Sequence, residues 1–186
     1  MTENAAPLPE VCVCYILSET AETGYRVLLG RKKKGLGLGK LVGPGGKLET
    51  GETPEQAVVR EVFEESGLVV REHDLRFLGR IRYEFPHREA WSQVSWVFAT
   101  RAWSGTVVES DELLLDWVPV DEIPFDRMWD DAKFWLPGAL AEPGSGPSFE
   151  RRYVFGADLA TVVDSDDGVL ADGVLTDGSV TPGSRA

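Results

Sequence analysis

Between Gly46 and Leu68 the chain reads GKLETGETPEQAVVREVFEESGL, and the middle of that segment has little choice but to be a helix. Thr53 followed three residues later by Gln56 lets each side chain meet the other's backbone N–H, Pro54 suits a first helical turn, and Gly67 supplies the left-handed residue that ends one. These signals predict a helix from Pro54 to Ser66. Within it Glu61, Glu64 and Glu65 are spaced i, i+3, i+4 and share one face, where like charges weaken an isolated helix by roughly a few tenths of a kcal/mol per pair. Taken alone, the three glutamates read most simply as a solvated acidic face. A divalent cation would reverse the sign of their repulsion, because carboxylate oxygens are the hard ligands Mg2+ prefers alongside water and substrate phosphates.

The flanking sequence describes a mixed α/β domain with more strands than helices. Val11–Leu17 and Arg26–Gly30 are apolar runs joined by SETAETG, which reads as a hairpin. GRKKKGLGLGKLVGPGGK follows, too rich in glycine to hold a long regular element. Gly35, Gly37 and Gly39 do not fit GxGxxG, and no helix follows them directly, so a dinucleotide-binding fold is rejected. Strand composition returns at Arg76–Phe85, Trp91–Arg101, Leu113–Val120 and Phe149–Phe155, with a short helix expected over Trp129–Leu136, ending before Pro137. Cys12 and Cys14 alternate onto one face of a strand, which disfavours a disulfide and marks them as reduced core residues. His73 and His87 read as surface residues, and Trp91, Trp96, Trp103, Trp117 and Trp135 as packing. Residues 1–10 read as a flexible leader and 11–163 as the domain. Residues 164–186 contain the tandem units DGVLA, DGVLT and DGSVT and read as an acidic, disordered tail, since so few short units bury almost nothing.

Charge narrows the partners. Nineteen Lys and Arg against 31 Asp and Glu leave a net charge of -12, which argues against a polynucleotide backbone as ligand. A phosphate ligand would need a local exception, either metal ions on the glutamates or the cluster Arg31, Lys32, Lys33, Lys34 with Lys40 and Lys47. The alternative for that cluster is a solvated turn. No stretch approaches the roughly 18 apolar residues of a membrane span, and MTENAAPLPE is not a secretory signal, so a cytoplasmic location without membrane contact is expected.

The central segment also matches, at every defined position, the signature of the Nudix hydrolases: Gly46, Glu52, Arg60, Glu61, the aliphatic Val62, Glu64, Glu65, Gly67 and the aliphatic Leu68. Its seven fixed identities, at usage near 7% each, would coincide by chance on the order of once in 10^8 starting points. The resemblance implies a mixed β-sheet in an α/β/α sandwich. It implies Mg2+ or Mn2+ held by Glu61, Glu64 and Glu65 with the backbone carbonyl of Gly45, and a buried Glu52–Arg60 pair clamping loop to helix. The reaction implied is attack of water on a phosphorus of a nucleoside diphosphate derivative, with a glutamate taking the proton.

Outside that segment, LLGRKKKGLGLGK, ESDE, DEIPFDRMWDD and FWLP resemble the MutT-type oxidised-purine nucleoside triphosphatases, over roughly 11–155. That likeness makes Glu112 a further metal ligand or base and puts Lys32 and Lys47 near the phosphates. Tyr83, Phe85 and Trp129 would line a base pocket, with Trp129 stacking and Asp130 and Asp131 toward the purine edge. Leu41 and Val42 stand where that group has Trp-Asn, and Ala132 stands where it has a second Asp, so one base-reading amide is missing. The function implied is Mg2+-dependent hydrolysis of nucleoside triphosphates, such as 8-oxo-dGTP, to monophosphate and pyrophosphate. The alternatives are another Nudix substrate, such as dCTP, CTP or a nucleoside diphosphate derivative, or a nucleotide sensor that binds without cleaving.

Overall fold

The computed structural model describes residues 7–21, 24–141, 147–171 and 174–175. Its strands are β1 (Glu10–Thr20), β2 (Gly24–Lys32), β3 (Leu41–Val42), β4 (Arg76–Glu84), β5 (Gln93–Thr100), β6 (Leu113–Pro119), β7 (Phe149–Phe155), β8 (Val162–Ala171) and β9 (Val174–Leu175). The helices are α1 (Pro54–Ser66) and α2 (Ala132–Ala141). The strands run in the order β3-β2-β1-β5-β4-β7-β8-β9, with β6 also paired to β2. β1 with β5 and β4 with β7 are parallel, so the sheet is mixed.

Strand alternation divides the core between the two faces of the sheet. From β1, Cys12, Cys14 and Ile16 face α1 and pack with Ala57, Val58 and Val62. Tyr15 and Leu17 point the other way and pack with Trp135, Leu136 and Leu140 of α2. One helix covers each face, as an α/β/α sandwich requires. Both cysteines are free and buried on one face.

β1 also creates the place for the site. Its first half pairs with β5 and its second half with β2, and along the first half runs the glycine-rich segment after β3. The Cys12 N–H donates to the Gly46 carbonyl at 2.8 Å and the Cys14 N–H to the Pro44 carbonyl at 2.9 Å. A Cβ on Gly45 would overlap the Cys12 carbonyl, so only glycine lets the two backbones lie this close. α1 then begins at the expected cap: Thr53 accepts from the Gln56 N–H, the Gln56 side chain accepts from the Thr53 N–H, and Gly67 closes the helix at φ 70°.

Three expected boundaries move. Pro137 lies inside α2, which continues far enough to bury Leu140 against the sheet. The domain boundary expected after residue 163 falls within β8, of whose first eight residues seven pair antiparallel with β7. Charge explains that pairing: Arg152 meets Asp164 at 3.0 Å and Glu84 at 2.8 Å, and Arg151 meets Asp167 at 3.5 Å, so two β7 arginines neutralise acids of the expected tail. At the other end Glu10 already opens β1, and the Val94 N–H donates to the Pro9 carbonyl at 2.9 Å. The rest of the leader and tail, 1–6 and 176–186, lies outside the described residues.

Candidate metal and nucleotide site

A single cleft of about 550 Å³ runs from the exposed side of α1 to the face of the sheet that carries α2. Glu61, Glu64 and Glu112 line one end, with Gly45, Gly46 and Lys47 beside them. Arg60 organises that end. Its Nε and Nη2 each donate at 2.8 Å to the two oxygens of Glu52, while Nη1 donates to Glu61 at 2.9 Å and Glu64 at 3.3 Å. Nη2 also donates to the Lys47 carbonyl at 3.1 Å, which ties the loop to the helix. The Glu52–Arg60 clamp therefore exists, but it differs from the expectation in two ways. Its side chains are partly exposed, at 19% and 23%, and Arg60 spans to the glutamate face as well.

Glu65 is the most enclosed of the glutamates, at 3% exposure, and accepts from the Gly45 N–H at 2.8 Å. Burial pushes its carboxyl up to about 7 despite that hydrogen bond and the nearby Lys32, and burial also raises Glu61. Gly46 is the counterpart on the loop, since a Cβ there would collide with the Glu61 carboxylate. The Arg60 guanidinium holds Glu52 down to about 2.

The basic cluster is divided. Lys32 lines the cleft. Lys33 pairs with Glu109 and donates to the Ser110 carbonyl at 2.7 Å, and Lys34 reaches Glu112 at 3.1 Å. With the Lys33 N–H on the Glu112 carbonyl at 2.8 Å, these contacts pin the ESDE loop beside the glutamates. Lys40 donates to the Met128 carbonyl at 3.0 Å and lies 5.5 Å from the centre of the Trp129 ring.

The other end of the cleft is aromatic. Phe85 stacks on Phe155 at 4.5 Å, and Trp129 meets both edge-on at 5.8 and 5.6 Å. Asp131, 1% exposed, accepts through Oδ2 from the Tyr83 hydroxyl at 3.0 Å and the Trp135 indole N–H at 2.8 Å, while its Oδ1 is buried without a partner. Burial pushes this carboxyl up to about 6. Asp130 does not join it: that side chain pairs with Lys133 and accepts the Val162 N–H at 3.0 Å, away from the cleft. Leu41 and Val42 form an apolar wall at the positions that depart from the oxidised-purine pattern.

Residues 7–137 match the NUDIX domain family. This chain belongs to the Nudix hydrolase family. It is 46% identical over 112 residues to a zebrafish (Danio rerio) protein named oxidized purine nucleoside triphosphate hydrolase, spanning 60% of this chain and 70% of that one. The mouse (Mus musculus) protein of the same name is 42% identical over the same shares. An Escherichia coli 8-oxo-dGTP diphosphatase is 46% identical over 66 residues, 36% of this chain and 47% of that one. In shape the chain is similar to a MutT protein from Bacillus halodurans, with a TM-score of 0.69 at 21% identity, covering 86% of this chain and 97% of that one. That likeness shows the Nudix fold.

Nudix hydrolases generally depend on a divalent metal, and the residues here fit one. The donor set is all hard oxygen, Glu61 and Glu65 are raised by burial, and the Gly46 backbone is bare where it faces Glu61. Among the described residues no three His, Cys, Asp or Glu side chains converge on one point; Arg60 takes Glu61 and Glu64, Lys34 takes Glu112, and the Gly45 N–H takes Glu65.

Several cleft residues escape the sequence reading. Trp135, expected as packing, holds Asp131 from one helical turn away, a spacing that was available in the sequence. Tyr15, Phe155, Gln93 and Ser95 line the cleft through strand alternation, and nothing in their local sequence distinguishes them from core. Among the described residues, no helix is long and apolar enough to cross a membrane.

Proposed function

We propose that this Nudix hydrolase cleaves nucleoside triphosphates to the monophosphate and pyrophosphate, with oxidised purine nucleotides such as 8-oxo-dGTP as its class of substrate. The observation that carries the reading is one cleft with a carboxylate cluster at one end and an aromatic pocket with a buried carboxyl at the other. A triphosphate laid along it would put its phosphates at α1 and its base against Trp129 and Phe85, where stacking contributes about 1 to 3 kcal/mol. The names of the zebrafish, mouse and E. coli relatives support the same substrate class.

Glu61, Glu64, Glu65 and Glu112, with the Gly45 carbonyl, would hold Mg2+ or Mn2+. When bound, the ions offset phosphoryl charge and acidify water. The chain's own contributions are separate. Lys32 and Lys47 face the phosphate end, and a carboxylate of the cluster takes the proton of the attacking water. Water adds to phosphorus as the bond to the bridging oxygen breaks, and pyrophosphate departs. Arg60 holds the glutamates in place, and Trp129, Phe85 and Asp131 orient the base.

The test is hydrolysis of 8-oxo-dGTP, 2-hydroxy-dATP, dGTP, dCTP, CTP and ADP-ribose, followed as pyrophosphate release from the triphosphates and as AMP formation from ADP-ribose, with Mg2+ and with EDTA. Turnover of the oxidised purines that EDTA abolishes is the expected result. Preference for dCTP, CTP or ADP-ribose would overturn the substrate class, and binding without turnover would make the protein a sensor.

A further inference from the structure

Within that substrate reading, on which this inference rests, the cleft contains polar groups that the phosphate chemistry does not use. β5 presents Gln93, Ser95, Val97 and Ala99 to one face of the sheet. Val97 and Ala99 are buried apolar residues of the α2-side core, as that face demands. Gln93 and Ser95, on the same face, line the cleft instead. Ser95 is 4% exposed, and among the described residues neither side chain has a hydrogen-bond partner.

Gln93 is half-buried and Ser95 buried, so on a face that is otherwise apolar two polar side chains are left to meet whatever enters the cleft. Register puts them beside a group that is buried without a partner, Asp131 Oδ1. Gln93 pairs across the sheet with Tyr83 and Ser95 with Ile81, and the Tyr83 hydroxyl donates to Asp131 at 3.0 Å. Directly paired residues carry Cβ atoms about 5 Å apart on one face, so the Gln93 amide lies alongside the ring that anchors Asp131. Asp131 Oδ2 already takes two donors, which leaves Oδ1. The facing wall of Leu41 and Val42 offers no polar side chain.

We propose that Gln93, assisted by Ser95, is the specificity-determining reader of the nucleobase in this chain, paired with Asp131 Oδ1. The carboxyl takes a ring or amino N–H, and the Gln93 amide takes the neighbouring acceptor. That combination fits a purine edge with N–H next to a carbonyl, as in guanine-type bases. The Ser95 hydroxyl, donor and acceptor both, meets whatever remains. The hydrogen-bonding code of the pocket would thus sit on β5 and just before α2, apart from the apolar β3 wall.

The experiment compares wild type with Gln93→Leu, Gln93→Asn and Ser95→Ala. It measures kcat and KM for 8-oxo-dGTP, dGTP, dATP and dCTP with Mg2+, and the melting temperature of each protein. Gln93→Leu is expected to lower kcat/KM on the preferred guanine-type substrate about tenfold or more, and to narrow its preference over dCTP by a similar factor. Ser95→Ala is expected to do so less, and Gln93→Asn to restore part of the preference. Melting temperatures should hold, because neither side chain has a hydrogen-bond partner in the fold to lose. An unchanged preference with guanine-type turnover intact would overturn this inference alone, as would a lowered melting temperature with unchanged preference, which marks a structural role. Absence of purine turnover in the wild type would overturn the functional reading and this one together.

Discussion

Replacing Asp131 by Asn should change the pH dependence of stability in a calculable way. The carboxyl is 1% exposed, and burial moves it from an ordinary 3.8 to about 6. A raised pKa means that the unfolded chain gives up its proton first. The fold's relative advantage is therefore complete below pH 3.8 and is lost as pH rises through about 6. A shift of about 2 units at 1.36 kcal/mol each makes the ionised form about 3 kcal/mol less favourable to folding, with most of the loss complete by pH 7. Asparagine keeps an oxygen to accept from Tyr83 and Trp135 and carries no charge at any pH. Urea denaturation of both proteins at pH 4, 5, 6 and 7 should show the variant gaining on wild type by about 2 kcal/mol across that range. Every other titrating group, Glu65 included, cancels in the difference. Parallel curves, or a variant that loses ground as pH rises, would refute the assignment of a buried, strained carboxyl at the aromatic end of the cleft.

Three further outcomes are expected. Glu64→Gln or Glu65→Gln should lower kcat by about 100-fold or more through lost charge stabilisation, with the circular dichroism spectrum unchanged; near-normal turnover would remove these residues from the metal site. Gly45→Ala should cost more than about 3 kcal/mol or prevent folding, since the new methyl meets the Cys12 carbonyl and the Val13 Cα, which are backbone and cannot yield. A soluble variant with wild-type melting would contradict that packing. Gly37 sits at φ 79°, and a Cβ there would approach Trp129 Nε1 to 3.0 Å, so Gly37→Ala should displace the indole and raise KM several-fold with kcat retained; unchanged KM and tryptophan fluorescence would count against Trp129 as the stacking surface.

The segment that carries the acidic face was legible because every signal in it is local. The Thr53–Gln56 cap, Pro54 and Gly67 act within a few residues, and the i, i+3, i+4 spacing of the glutamates needs only helical geometry, so α1 was readable to its last residue. Six of the strands were readable from composition to within three residues of their ends, while β3, β8 and β9 were not. Local pattern could not say what each exposed or half-buried side chain would meet. Asp130 and Asp131 are neighbours of identical chemistry, yet one pairs with Lys133 on the surface and the other is buried under Tyr83 and Trp135. The repeat that begins at Asp167 looked like free tail because the partner of that aspartate, Arg151, lies on a strand whose alignment with it no local rule specifies.

By itself, then, the sequence determined the helix, its acidic face, the glycines that let a loop lie against β1, and the family to which these belong. Tertiary structure alone decided which polar groups share the cleft. Gln93, Ser95, Tyr83 and Asp131 come from three elements and meet only through sheet register and the docking of α2, and contacts between distant parts of a chain depend on the packing of the whole rather than on any short stretch of it.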